Sequence, residues 1–167
     1  MLAYIDVEKE PLGLLFLGDL ARSLTADGIK VAGAVRTPGE KGLARRDMRL
    51  SILRDAGPEV VISQDLGPGA TGCRLDPGAL EQAAHRAVLA MPGAELVIVN
   101  KFGKQEAFGR GMCSLIAAAV EAGLPVLTCV DRPQRADFEA FAGEFATRIT
   151  AAEAEIWCRD AIRRDAA

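Results

Sequence analysis

Hydrophobic positions in this chain recur alternately at the period of a strand and at the period of a helix. Leu2–Asp6 is a short apolar run of strand length. Pro11 opens a helical stretch in which Leu14, Leu17, Leu20, Ala21 and Leu24 share one face, and Gly28 closes it. Ile29–Val35 reads as the next strand, broken by Thr37-Pro38-Gly39. A polar loop reaches Asp47, after which Met48, Leu50 and Ile52 alternate with Arg49, Ser51 and Leu53 in a half-buried strand pattern. Val60–Ser63 predicts another strand, and the glycine-rich Gln64–Arg74 a loop.

Asp76-Pro77 predicts a helix start, with Asp as N-cap and Pro at the first helical position. That helix runs to about Leu89 and stops at Pro92-Gly93. Leu96–Val99 is uniformly apolar, as expected of a parallel strand covered on both faces. Asn100–Gly111 reads as a polar loop, Met112–Ala122 as a helix, Pro125–Val130 as a buried strand and Ala136–Ile149 as a helix. Thr150 and Glu153 form a capping box for a last helix to about Arg164. The alternation predicts a three-layer α/β fold: a mostly parallel sheet with helices on both faces and antiparallel additions in the 45–75 region. With no linker or repeat, residues 1–167 are expected to form a single α/β domain.

Composition narrows the function classes. The chain has 167 residues, half of them hydrophobic, which suits a full core. No apolar run approaches the ~20 residues a membrane helix needs. Asp6, Glu8, Lys9 and Glu10 interrupt the region where a signal peptide would be apolar, so a cytoplasmic protein with no membrane partner is expected. Cys73, Cys113, Cys129 and Cys158 include no C-x-x-C pair, and His85 is the one histidine. Zinc patterns and a Ser-His-Asp triad are therefore excluded, and no metal site is expected. Cys113, Cys129 and Cys158 read as packing residues; Cys73, between Gly72 and Arg74 in a glycine-rich connection, stands apart.

In open parallel sheets, ligands gather outside the carboxyl ends of the strands. Here the most buried strand leads into Asn100-Lys101-Phe102-Gly103-Lys104-Gln105-Glu106, then Gly109-Arg110-Gly111. Lys101 and Lys104 supply charge for an anion, Arg110 a bidentate fork and Asn100 a hydrogen bond. Glu106 suits a salt-bridge orienter, a metal ligand or a water-positioning base. The competing reading is a solvated loop whose charges pair with one another.

Net charge, −3 overall, is uneven: residues 36–54 hold six cations, Arg45 and Arg46 among them, against two anions. That segment carries +4 and the remainder −7. If it meets Cys73 and Arg74 at the edge where Lys101 lies, a focused cationic pocket results. Few aromatics and an acidic remainder argue against nucleic acid.

A phosphate-binding P-loop, G-x-x-x-x-G-K-[ST], is absent after the first strand, where Asp6-Val7-Glu8-Lys9-Glu10 stands instead. The strand that would end in a magnesium-holding Asp ends in Asn100. Both signatures of a conventional ATP hydrolase are therefore missing.

The run Leu96–Glu106 with Gly109-Arg110-Gly111, together with Ile62-Ser63-Gln64-Asp65-Leu66-Gly67 and Cys73-Arg74-Leu75-Asp76, resembles a bacterial family of unknown function. The match extends from about Leu2 to Ile149. That family is often encoded beside molybdate-transport or molybdenum-enzyme genes, so the resemblance implies a place in molybdenum metabolism. The layout is also distantly similar to THEP-type nucleoside triphosphatases, which have a P-loop after strand one and a carboxylate where Asn100 stands. That likeness implies a P-loop-NTPase-like fold without a P-loop, but not hydrolysis.

Taken together, these features predict a small-anion-binding protein whose ligand is a nucleotide phosphate or an oxyanion such as molybdate. Asn100, Lys101, Lys104, Glu106 and Arg110 are its expected binding residues, with Cys73, Arg74, Arg45 and Arg46 from neighbouring loops. The alternatives are a divergent phosphotransferase or hydrolase using Glu106 and a metal, and a protein-interaction or metal-trafficking module. Ala151–Arg164 is expected to close the core, and a homodimer stays open.

Overall fold

A computed structural model describes residues 1–7, 11–37, 48–64, 66–67 and 74–165. Its chain order is β1 (Leu2–Val7), α1 (Pro11–Ala26), β2 (Val31–Arg36), β3 (Arg49–Leu53), β4 (Val60–Val61), α2 (Pro77–Ala90), β5 (Leu96–Phe102), α3 (Lys104–Ala107), α4 (Cys113–Glu121), β6 (Val126–Asp131), α5 (Arg135–Ala142), β7 (Ala146–Arg148) and α6 (Ala154–Asp165). The strands lie in one sheet in the order β4-β3-β2-β5-β6-β1-β7. The pairs β2/β5, β5/β6, β6/β1 and β1/β7 are parallel, whereas β3 and β4 are antiparallel additions at one side.

Strand alternation sorts the core onto two faces. Leu2 and Tyr4 of β1 and Val97 and Val99 of β5 pack with Leu80 and Ala84 of α2, Leu115 and Ile116 of α4 and Phe138 of α5. Ala3, Ile5, Leu96 and Ile98 face the other way, against Leu17, Leu20 and Leu24 of α1 and Ala154 and Cys158 of α6. Helices therefore cover both faces of a mostly parallel sheet, giving the three-layer α/β fold. Among the described residues no helix is long and apolar enough to cross a membrane.

Close contact between β2 and β5 depends on Gly33. Its φ is +127°, and a Cβ there would lie 2.9 Å from the amide nitrogen of Ile98 and closer still to its carbonyl group. Only glycine fits that combination of positive φ and backbone approach.

Two stretches depart from the sequence reading. The helix expected over Ala136–Ile149 ends at Ala142, where Gly143 turns the chain with φ +59°, and Ala146–Arg148 joins the sheet as β7. The loop expected over Asn100–Gly111 starts later: β5 continues to Phe102, and α3 forms one short turn after it. The Asp76 cap forms as expected, its Oδ1 accepting from the N–H of Ala79 at 3.0 Å. Glu153 Oε2 likewise accepts from the N–H of Thr150 at 2.8 Å.

Candidate functional site

The carboxyl edge of the sheet gathers the described ends of most segments singled out from the sequence. Because β3 runs against β2, and β4 against β3, the exit of β2, the entry to β3 and the exit of β4 all open on this edge. Beyond β4, the bridge between Ser63 and Leu75, with Gln64 N–H donating to the Arg74 carbonyl at 2.6 Å, forms the neck of the 64–74 excursion. Parallel pairing of β2 with β5 brings Asn100 and Lys101 to the same edge.

Side-chain direction there depends on one irregularity. Continued alternation after Val97 and Val99 would turn Lys101 into the core. A register shift between Val99 and Phe102 puts Phe102 there instead, fully buried against Phe138 with ring centroids 5.1 Å apart. Bulges of this kind re-aim side chains next to functional sites. Lys101 is thereby left half-buried, its Nζ 2.5 Å from Oδ2 of Asp131 at the end of β6. Asn100 is buried, and its Oδ1 accepts from the N–H of Arg36 at 2.9 Å, tying the exits of β5 and β2 together. That contact occupies the amide oxygen as an acceptor, which leaves the amide N–H groups as the donors Asn100 can offer.

At the exit of β1, Asp6 Oδ2 pairs with Nη2 of Arg148 at 2.7 Å, and Asp6 Oδ1 lies 3.6 Å from Nε of Arg135. This second oxygen is buried and accepts no hydrogen bond among the described residues. From β1 across β6 to β5, the edge is thus a row of carboxylates and cations.

Glu106 does not orient the loop cations by ion pairing. Only 5% of its surface is exposed; Oε2 accepts from the N–H of Gly103 at 2.9 Å and Oε1 from the N–H of Met112 at 3.0 Å. Burial raises its pKa above the usual carboxylate range, while these two backbone N–H groups oppose the rise. Glu81 of α2 adds a third fixing point, its Oε1 accepting from the N–H of Gly111 at 2.5 Å. The two carboxylates hold residues 103–112 in one shape. Lys104 and Arg110 stand exposed on this turn, their side chains making no ion pair among the described residues.

Arg74 is half-buried and folds back on its own excursion, Nη2 donating to the Gly67 carbonyl at 3.3 Å. Cys73, Arg45 and Arg46 lie outside the described residues. The other three cysteines are buried; burial pushes Cys113 up to about 11 and Cys129 and Cys158 up to about 12. No group of three or more His, Cys, Asp or Glu among the described residues is placed to hold a metal ion. Sequence reasoning missed Asp131 and Glu81, and it counted Arg36 and Asp6 as charges without giving them a place at this edge. An Asp directly after a buried strand was the available signal for Asp131.

A family model described as a protein of unknown function, DUF2478, matches residues 2–157. The chain belongs to the DUF2478 family. Over 151 residues this DUF2478 chain is 34% identical to the molybdenum import ATP-binding protein ModC 2 of Bradyrhizobium diazoefficiens. That match covers 89% of the chain but 17% of the relative, so the chain spans under a fifth of that protein's length.

Two solved structures share the fold. THEP1 from the hyperthermophile Aquifex aeolicus superposes with TM-score 0.64 and 14% identity, covering 96% of each chain. A human cancer-related nucleoside triphosphatase gives 0.59 and 13%, covering 97% of this chain and 95% of the other.

Proposed function

We propose that this DUF2478 chain is a cytoplasmic small-anion-binding protein. Its ligand is a nucleotide phosphate or a tetrahedral oxyanion such as molybdate, and its place is in molybdenum metabolism. The observation that carries the reading is the bulge at the end of β5, which delivers the Lys101 ammonium and the Asn100 amide to the sheet edge where such folds receive ligands. Lys101 supplies the charge and Asn100 donates a hydrogen bond. Arg74 adds a further cation, Lys104 and Arg110 steer the anion from the exposed turn, and Cys73, Arg45 and Arg46, which lie outside the described residues, belong to the same reading.

Two likenesses support the ligand class: the Bradyrhizobium relative is a molybdenum import ATP-binding protein, and the human structural neighbour is a nucleoside triphosphatase. Phosphoryl transfer through Glu106 is disfavoured, because both its oxygens already accept backbone N–H bonds. The sequence also lacks a P-loop and has Asn100 where a magnesium-holding carboxylate would stand.

Calorimetric titration of the full chain with ATP, GTP, molybdate and tungstate tests the reading. The expected result is saturable binding of at least one ligand, lost in Lys101→Ala. Silence toward all four, or equal binding by the variant, overturns it.

A further inference from the structure

We propose that the chain pairs with a second copy of itself, the Phe108 turn of each copy seated on the Phe141–Phe145 face of the other about a twofold axis. Two adjoining patches of opposite character carry this proposal.

The first patch is the turn that Glu106 and Glu81 hold. Burying the Glu106 carboxylate to fix two backbone N–H groups, with the exposed Glu81 fixing a third, costs stability that a simple connection would not need. Gly109 and Gly111 add positive-φ corners at +72° and +59°. The fixed turn displays Phe108, 69% exposed, between the exposed cations of Lys104 and Arg110. An aromatic flanked by cations on a pre-ordered turn loses little entropy on docking and has the composition of an interface anchor.

The second patch lies on α5 and the turn after it. Phe141 is 42% and Phe145 76% exposed, and Asp137 and Glu144 beside them are exposed carboxylates. Glu139 is engaged elsewhere, accepting from the Tyr4 hydroxyl at 2.9 Å. The Phe141 ring centroid lies 5.5 Å from that of Phe102, which places α5 beside the strand end from which the Phe108 turn departs.

An isologous dimer requires a self-complementary surface, in which each copy offers both halves of the contact. A basic aromatic turn next to an acidic aromatic face meets that requirement: Arg110 faces Glu144, Lys104 faces Asp137, and Phe108 is covered by Phe141 and Phe145 in both directions.

Sedimentation velocity of the full chain over a concentration series decides the matter. A reversible monomer–dimer equilibrium is expected. Arg110→Glu, Glu144→Arg and Phe108→Ser should each raise the dissociation constant roughly tenfold or more. Combining Arg110→Glu with Glu144→Arg should restore most of the affinity. These side chains are exposed, so circular dichroism and the urea midpoint should stay at wild-type values. The proposal is overturned by a wild-type chain that is monomeric at every concentration, as it would be if the turn served a different protein. Dimerisation unaffected by Arg110→Glu overturns it too, as does a double variant no tighter than the single ones.

Discussion

The ammonium of Lys101 lies 2.5 Å from the carboxylate of Asp131, across the exits of two neighbouring parallel strands. Asp131 therefore occupies the cation assigned to the proposed anion, and the two would compete for it. With both side chains about a third exposed, a pair of this kind is worth about 1 kcal/mol or less. Asp131→Asn should accordingly tighten anion binding by about two- to fivefold in calorimetric titration. Weaker binding in that variant would assign Asp131 to the ligand's own contacts.

Glu106 gives the stability a definite pH dependence. Its pKa in the folded chain is raised above the unfolded value, so the folded state holds the proton more tightly. Its contribution is fully present below the ordinary Glu range near pH ~4.3 and is lost as pH rises through the raised folded value. Urea midpoints measured between roughly pH 4 and pH 7 should show this decline, and Glu106→Gln should remove it. The same variant turns an N–H donor toward a backbone N–H, at a cost of about 1–3 kcal/mol. An identical pH profile in Glu106→Gln would contradict the assignment.

Gly33→Ala tests the closeness of β2 and β5. Left-handed strain and a clash with the Ile98 backbone together should cost about 3 kcal/mol or more in denaturant unfolding. A variant of wild-type stability would mean that the two strands do not approach as described.

Three of the four thiols are expected to be inert in the folded chain. Cys113, Cys129 and Cys158 are buried, with values pushed up to about 11, 12 and 12. They should resist a disulfide reagent at neutral pH until the chain unfolds. In Cys73→Ser no fast-reacting thiol should remain, and three should appear in denaturant. Rapid reaction of the folded variant would show one of the buried cysteines to be accessible.

Much of this architecture was legible because local signals were strong and mutually consistent. Asp76-Pro77 marked a helix start, Leu96–Val99 a buried strand, and the alternation at Met48–Leu53 an antiparallel addition. The end of α5 was misjudged because Phe141, Ala142 and Phe145 keep a helical spacing, whereas the three-residue β7 is too short to announce a period of two. The β5 bulge was invisible for a related reason: alternation identifies a strand but carries no mark of an inserted residue. Candidate residues were legible as chemistry but not as partnerships. The sequence placed Glu106 among cations, yet its carboxylate binds two backbone N–H groups, because the turn returns Met112 to it in three dimensions. Conversely, the partners of Lys101 and Asn100, Asp131 and the Arg36 backbone, are 30 and 64 residues away in the chain.

The central claim, an anion held at the exit of β5, is tested most directly by amide spectra of the isotope-labelled full chain during titration with molybdate and with ATP. Saturable shifts should appear at the Arg36, Asn100, Lys101 and Gly103 amides and at the Asn100 side-chain amide, and should vanish in Lys101→Ala. Shifts confined to other surfaces, or none with either ligand, would contradict it.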